Sequence, residues 1–96
     1  PTGIVCFNDL LAFGVMLGLR SIGVEPGLDC SVVGADDVAE AALWKPGLTT
    51  VAMHSHRIGQ NAGSLFHKRQ EMPATGPEQI LLKPELIVRG SSCLRC

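Results

Sequence analysis

The sequence predicts an α/β fold in which short parallel strands alternate with helices, and three features point to it. Apolar β-type runs at Ile4-Val5-Cys6-Phe7 and Ser31-Val32-Val33-Gly34-Ala35 each stop abruptly, at Asn8-Asp9 and at Asp36-Asp37. Between them lies a helix-like stretch rich in Leu, Val and Met that ends at Gly23, before a Pro26-Gly27 turn. A third β-type run, Leu48-Thr49-Thr50-Val51, follows Pro46-Gly47. Strand, helix, turn and strand make a βαβ unit, which crosses over with a right hand. In open α/β sheets, ligands sit beyond the carboxyl ends of the strands. Asn8, Asp9, Asp36 and Asp37 are therefore read as half of a polar ligand cleft.

Residues 3–7 are expected to form a strand and 9–22 a helix, with Asn8 or Asp9 as its N-cap. Leu10, Leu11, Phe13, Val15, Met16, Leu17, Leu19 and Ile22 spread over almost every face of that helix. A surface helix shows one apolar stripe and one wet face. This one needs cover on both sides, from the sheet and from a second subunit; burial within its own domain is the alternative. Gly23 ends it as a C′ residue. The continuous apolar run at 31–34 suits a parallel strand covered on both faces.

Asp36-Asp37 is expected to open a short helix, 37–43, that ends near Trp44-Lys45-Pro46-Gly47. Leu48 to Ala52 is read as a strand, favoured by Thr49 and Thr50. From 55 to 69 the spacing of Ile58, Ala62, Leu65 and Phe66 predicts an amphipathic helix with water on its other side. A loop at 72–78, strands at 80–82 and 86–88, and a frayed tail at 90–96 complete the pattern.

Composition excludes several function classes. The 96 residues carry eight basic and nine acidic side chains, for a net charge of −1, and form no basic stripe of the kind that neutralises phosphates. No apolar run approaches the roughly 18 residues of a membrane span. With 46% hydrophobic and only 18% charged residues, more than one face is expected to be buried. The strand at Ile4-Val5-Cys6-Phe7 has nothing before it to pair with, so the chain is read as a piece of a longer protein. Cys93 and Cys96 form a Cys-x-x-Cys, but zinc needs four ligands and no second pair is suitably spaced. Reduced thiols and a cytoplasmic location are expected, with no metal and no cofactor.

The candidate chemistry is binding. Asn and Asp at strand ends often serve only as helix caps. One residue of each pair fills that role, which leaves Asn8 or Asp36 to face a ligand. Carboxylates accept from hydroxyls and an amide both donates and accepts, a combination suited to a polyol. No apolar surroundings at Asp36 or Asp37 suggest the raised pKa of a general acid. His54, His56 and His67 lack ligand spacing, the serines occupy no G-x-S-x-G elbow, and no Gly-x-Gly follows the first strand. We expect no catalytic residues. Trp44, the single tryptophan, is either local core or an interface anchor.

Five segments, taken together, resemble the effector-binding domain of the LacI/GalR family of bacterial transcriptional regulators. They are Cys6-Phe7-Asn8-Asp9 with Ala12-Phe13-Gly14, Ser31-Val32-Val33-Gly34-Ala35-Asp36-Asp37, Pro46-Gly47-Leu48-Thr49-Thr50-Val51, Arg57-Ile58-Gly59, and Glu85-Leu86-Ile87-Val88-Arg89. The resemblance implies the C-terminal part of a two-lobed, periplasmic-binding-protein-like (type I) fold, with parallel sheets flanked by helices. Residues 1–51 and 84–92 would then belong to the C-terminal lobe, and 53–80 would cross into the N-terminal lobe. Effector contacts, to a sugar or related polyol, would fall on Asn8 and Asp36. Contacts of a homodimer would fall on Leu10, Phe13, Gly14, Leu17, Leu43 and Trp44. DNA would be reached only through an N-terminal helix-turn-helix absent from these residues. The sequence departs from the family where Ala35 replaces a usual aromatic, and where Gly47 and Ser55 replace frequent prolines. A periplasmic sugar receptor for transport or chemotaxis is the alternative, and a sugar hydrolase ranks third.

Overall fold

The computed structural model describes residues 2–74 and 76–92. Its elements run β1 (Gly3–Val5), α1 (Asp9–Ser21), β2 (Ser31–Ala35), a 3-10 turn (Ala39–Ala42), β3 (Thr49–Ala52), α2 (Ser55–Glu71) and β4 (Glu85–Ile87). They build one four-stranded sheet in the order β1-β2-β3-β4. The first three strands are parallel, with Val5 opposite Val33 and Val33 opposite Thr49. β4 runs antiparallel to β3, pairing Leu86 with Val51. The sheet is thus mixed and mainly parallel.

α1 forms because leucines, alanine and methionine dominate its 13 residues, and it stops where Ile22 and Gly23 turn their amides back to the carbonyls of Leu19 and Arg20. It buries Ala12, Phe13 and Met16 against Val32 of β2, with Ala41 and Leu48 closing the same core. Spacing of i, i+1 and i+4 places the three on one face of the helix. The opposite face of α1 is bare: Leu10 is 72% exposed, and Leu11, Leu17 and Ile22 are also exposed. On the second face of the sheet both edge strands are open, with Val5 of β1 84% exposed and Leu86 of β4 also exposed. Cover on both faces, expected from the apolar run of β2, is therefore supplied on one face only by the described residues.

Three expectations are corrected. Asp36 and Asp37 do not start a helix over 37–43. The turn there is a 3-10 helix at Ala39–Ala42, whose N-cap is Val38. Residues 80–82 form no strand, and β4 is confined to Glu85–Ile87. Within the expected frayed tail, Ser91 is fully buried. Its hydroxyl donates to the Val32 carbonyl at 2.6 Å and accepts from the Thr49 amide at 2.8 Å, and its own carbonyl accepts from the Val32 amide at 2.8 Å. Ser91 therefore plugs the gap between the N-terminal ends of β2 and β3, where the two strands are not yet paired. The rest of that tail, including Cys93 and Cys96 and the Cys-x-x-Cys reading, lies outside the described residues.

α2 differs from α1 in every respect that concerns packing. None of its 17 residues is buried. Its apolar stripe lies along a groove of about 370 Å³ shared with Ile80, Leu81 and Leu82, and Phe66 is exposed. An ion pair joins Lys68 to Glu78, and His67 Nε2 lies 3.1 Å from Glu71 Oε1 one turn along the helix. The radius of gyration is 18.0 Å, against about 12 Å for a compact chain of this length. The long extension of the molecule, 60 Å by 24 Å by 20 Å, reflects α2 and residues 76–82 standing away from the sheet.

Candidate functional site

The site lies at the carboxyl ends of β1 and β2. In this register Asn8 and Asp36 each sit three positions beyond a paired couple, Val5 opposite Val33, and so reach the same end of neighbouring strands. Asn8 is the N-cap of α1: its backbone is extended (φ −151°, ψ 176°), and its Oδ1 accepts from the Leu11 amide at 2.9 Å. No partner holds its side-chain NH2 among the described residues, and the residue is half-buried.

Asp9 is the surprise. Both N-cap candidates were acidic or amidic, yet Asp9 does not cap the helix. It is the first helical residue and is completely buried. Its Oδ1 accepts from the Thr50 hydroxyl at 2.6 Å, and its Oδ2 accepts from the Val38 amide at 2.9 Å. The positive end of the α1 dipole favours a carboxylate there. A Cβ added to Gly34 would lie 2.4 Å from Asp9 Oδ1 and 3.1 Å from Asp9 Cα, so only glycine on β2 leaves room for this side chain.

The turn at 36–38 is bound at each step. The Asp36 amide donates to the Val51 carbonyl at 2.9 Å, the Asp37 amide to Thr50 Oγ1 at 3.3 Å, and the Val38 amide to Asp9. Asp37 Oδ1 accepts from Arg89 Nη2 at 3.0 Å, while Arg89 Nη1 holds the Leu48 carbonyl at 2.9 Å. Asp36 and Asp37 both have positive φ, 111° and 53°. Two consecutive non-glycine residues in that region are uncommon, and each carries strain of about 1–3 kcal/mol. The Asp36 carboxylate is exposed and has no hydrogen-bond or ion-pair partner among the described residues. Of the three carboxylates gathered here, it alone remains available to a ligand.

The structure thus brings Asn8 and Asp36 to the carboxyl ends of adjacent parallel strands. Among the residues assigned to a subunit surface, Leu10, Gly14, Leu17 and Leu43 are exposed, Leu43 at 75%. Phe13 is not: it is 7% exposed and belongs to the core. Trp44, half-buried, stacks on it with ring centroids 4.2 Å apart and planes 13° from parallel. Trp44 thus packs locally on the core through one face and remains partly exposed. Thr50 and Arg89 were not singled out from the sequence. Their partners lie 41 and 52 positions away, so no local pattern signals them. Burial raises the pKa of the Cys6 thiol, which is free and half-buried at the edge of the same core.

Comparison with known proteins agrees with this geometry. Residues 1–92 match the periplasmic binding protein-like domain. The chain belongs to that family, in its LacI/GalR branch. It is 35% identical over 91 residues to the HTH-type transcriptional repressor PurR of Vibrio vulnificus, covering 95% of this chain and 27% of that protein. A LacI family transcriptional regulator from Enterococcus faecium, with ribose bound, superposes with a TM-score of 0.91 at 33% identity, over 96% of this chain and 34% of its own. The lac repressor dimer bound to operator and the anti-inducer ONPF superposes at 0.83 with 30% identity, over 98% of this chain and 32% of its own. The chain therefore spans between a quarter and about a third of these relatives. They are transcriptional repressors and regulators, not enzymes. No helix among the described residues is long and apolar enough to cross a membrane.

Proposed function

We propose that this chain supplies one wall of the effector cleft of a LacI/GalR-type regulator, with Asp36 and Asn8 as the effector contacts. The observation that carries this is the Asp36 carboxylate, unpartnered and held on strained backbone while its neighbours Asp9 and Asp37 are both engaged. Strain maintained by so many hydrogen bonds is typical of a binding position. The effector is a sugar or polyol: Asp36 accepts from its hydroxyls and the Asn8 NH2 donates to its oxygens. Ribose in the Enterococcus faecium regulator and lactose in an Arthrobacter regulator support that ligand class.

Residues 53–80 then cross to a second lobe, which is why α2 buries nothing within this chain. The exposed Leu10, Leu17 and Leu43, with Gly14 between, form the surface of a cytoplasmic homodimer whose DNA contacts come from a separate domain. Effector binding closes the lobes and shifts the population between DNA-bound and released states. Titration of the complete protein with D-ribose, lactose and cellobiose tests the cleft. Asp36→Ala is expected to weaken the sugar bound by wild type at least tenfold, and equal affinity refutes the assignment. For the dimer, Leu10→Glu with Leu43→Glu is expected to give monomers in sedimentation; a retained dimer places the interface elsewhere.

A further inference from the structure

We infer that Asp9 is a positioning residue for the effector site, a buried carboxylate whose task is to hold the Asp36-Asp37 turn in its strained conformation. This rests on the effector reading of Asp36. Asp9 faces that turn from the first residue of α1, at the end of the strand next to the one that leads into Asp36, and it is completely buried. One of its oxygens takes the Val38 amide, and the other takes the Thr50 hydroxyl. Thr50 Oγ1 then has its remaining lone pairs free to accept from the Asp37 amide. Through one side chain and one hydroxyl, two of the three turn amides are tied to elements that belong to the rigid sheet and helix. The third, at Asp36, is tied to Val51 of β3.

Chemistry makes this arrangement demanding. A carboxylate has acceptors only, so both of its oxygens serve donors here without conflict. Asparagine in the same place keeps one acceptor for two donors, so its NH2 either opposes the Val38 amide or obliges the Thr50 hydroxyl to accept instead of donate, which alters its bond to the Asp37 amide. Charged acceptors also hold amides roughly twice as strongly as neutral ones. Gly34 is a second, independent sign that the position is kept open for this group, since any Cβ there collides with Asp9 at 2.4 Å. Released from Val38, the turn is free to relax the positive φ at Asp36 and Asp37, and the Asp36 carboxylate swings away from Asn8. The same bond joins the effector turn to the first turn of the helix that carries the exposed Leu10 and Leu17. A shift of the turn is thereby delivered to that helix.

Asp9→Asn and Thr50→Val in the complete protein, with Thr50→Ser as the conservative control, test the role. Amide hydrogen exchange at Val38 is expected to quicken at least tenfold in Asp9→Asn, and at Asp37 in Thr50→Val, while Val5, Val33 and Val51 keep wild-type protection; Thr50→Ser restores the wild-type pattern. Unchanged exchange at both turn amides, or equal loss throughout the sheet, overturns the positioning role. Sugar titration, with D-ribose, lactose and cellobiose as probes, separates this from the underlying reading. Asp9→Asn is expected to weaken binding at least tenfold in the wild-type background and by less than twofold in Asp36→Ala. Equal weakening in both backgrounds assigns Asp9 a merely structural part and overturns the inference. Unchanged binding in Asp36→Ala overturns the effector reading; loss there, with wild-type binding in Asp9→Asn and Thr50→Val, overturns the positioning role alone.

Discussion

The two neighbouring strand ends carry nearly the same residues, yet only the first of them caps a helix with its leading side chain. After β1, the first residue, Asn8, turns back to cap α1 and the second, Asp9, is buried. After β2, the first residue, Asp36, is left exposed and the second, Asp37, pairs with Arg89. The backbone decides between them. Asn8 has the extended conformation of an N-cap, from which a side-chain oxygen reaches the amide three residues on. Asp36 and Asp37 have positive φ instead of the extended conformation of an N-cap, and the capping position falls to Val38, which makes no side-chain cap bond. Residue type at a strand end therefore names the available chemistry, and local backbone geometry assigns it to folding or to ligand.

That contrast can be broken at several points, and the largest effect is expected at Asp9. Asp9→Ala leaves a buried amide and a buried hydroxyl without their acceptor, so unfolding in urea is expected to show a loss of about 3 kcal/mol. Asn8→Ala removes only a cap and costs about 1 kcal/mol. Asp36→Gly goes the other way: glycine accepts φ 111° freely, and a gain of up to about 1 kcal/mol is expected from relief of strain, less the added freedom of the unfolded chain. Asp37→Asn has the smallest effect on stability, under about 1 kcal/mol, because the ion pair with Arg89 is partly exposed and screened. Added salt is expected to narrow the difference between Asp37→Asn and wild type, and a difference that survives high salt would assign the pair a larger part in the fold.

Much of this was visible in the sequence where local chemistry is decisive. Apolar runs with abrupt polar ends marked β1 and β2, the threonines Thr49 and Thr50 marked β3, and the apolar composition at 9–22 marked α1. The stripe of Ile58, Ala62, Leu65 and Phe66 correctly marked a helix, here Ser55–Glu71. What stayed illegible depends on distant partners. Ser91 looked like part of a tail because nothing near it shows that Val32 and Thr49 need its hydroxyl and backbone. The choice between Asn8 and Asp9 as cap was open because either residue type serves, and Thr50 and Gly34 settle it by making a place for Asp9. The family resemblance put Phe13 on a subunit surface, whereas within this chain it is 7% exposed and stacks on Trp44, a partner 31 residues away that helix periodicity does not reveal.

The most direct test joins stability and binding in one variant. Thermal unfolding of the complete protein, as wild type and as Asp36→Gly, would be followed with and without a saturating concentration of the sugar that wild type binds. The account predicts that Asp36→Gly unfolds at the same or a higher temperature without sugar and no longer shifts when sugar is added. A variant stabilised by the sugar as strongly as wild type would contradict it, since Asp36 would then hold no ligand.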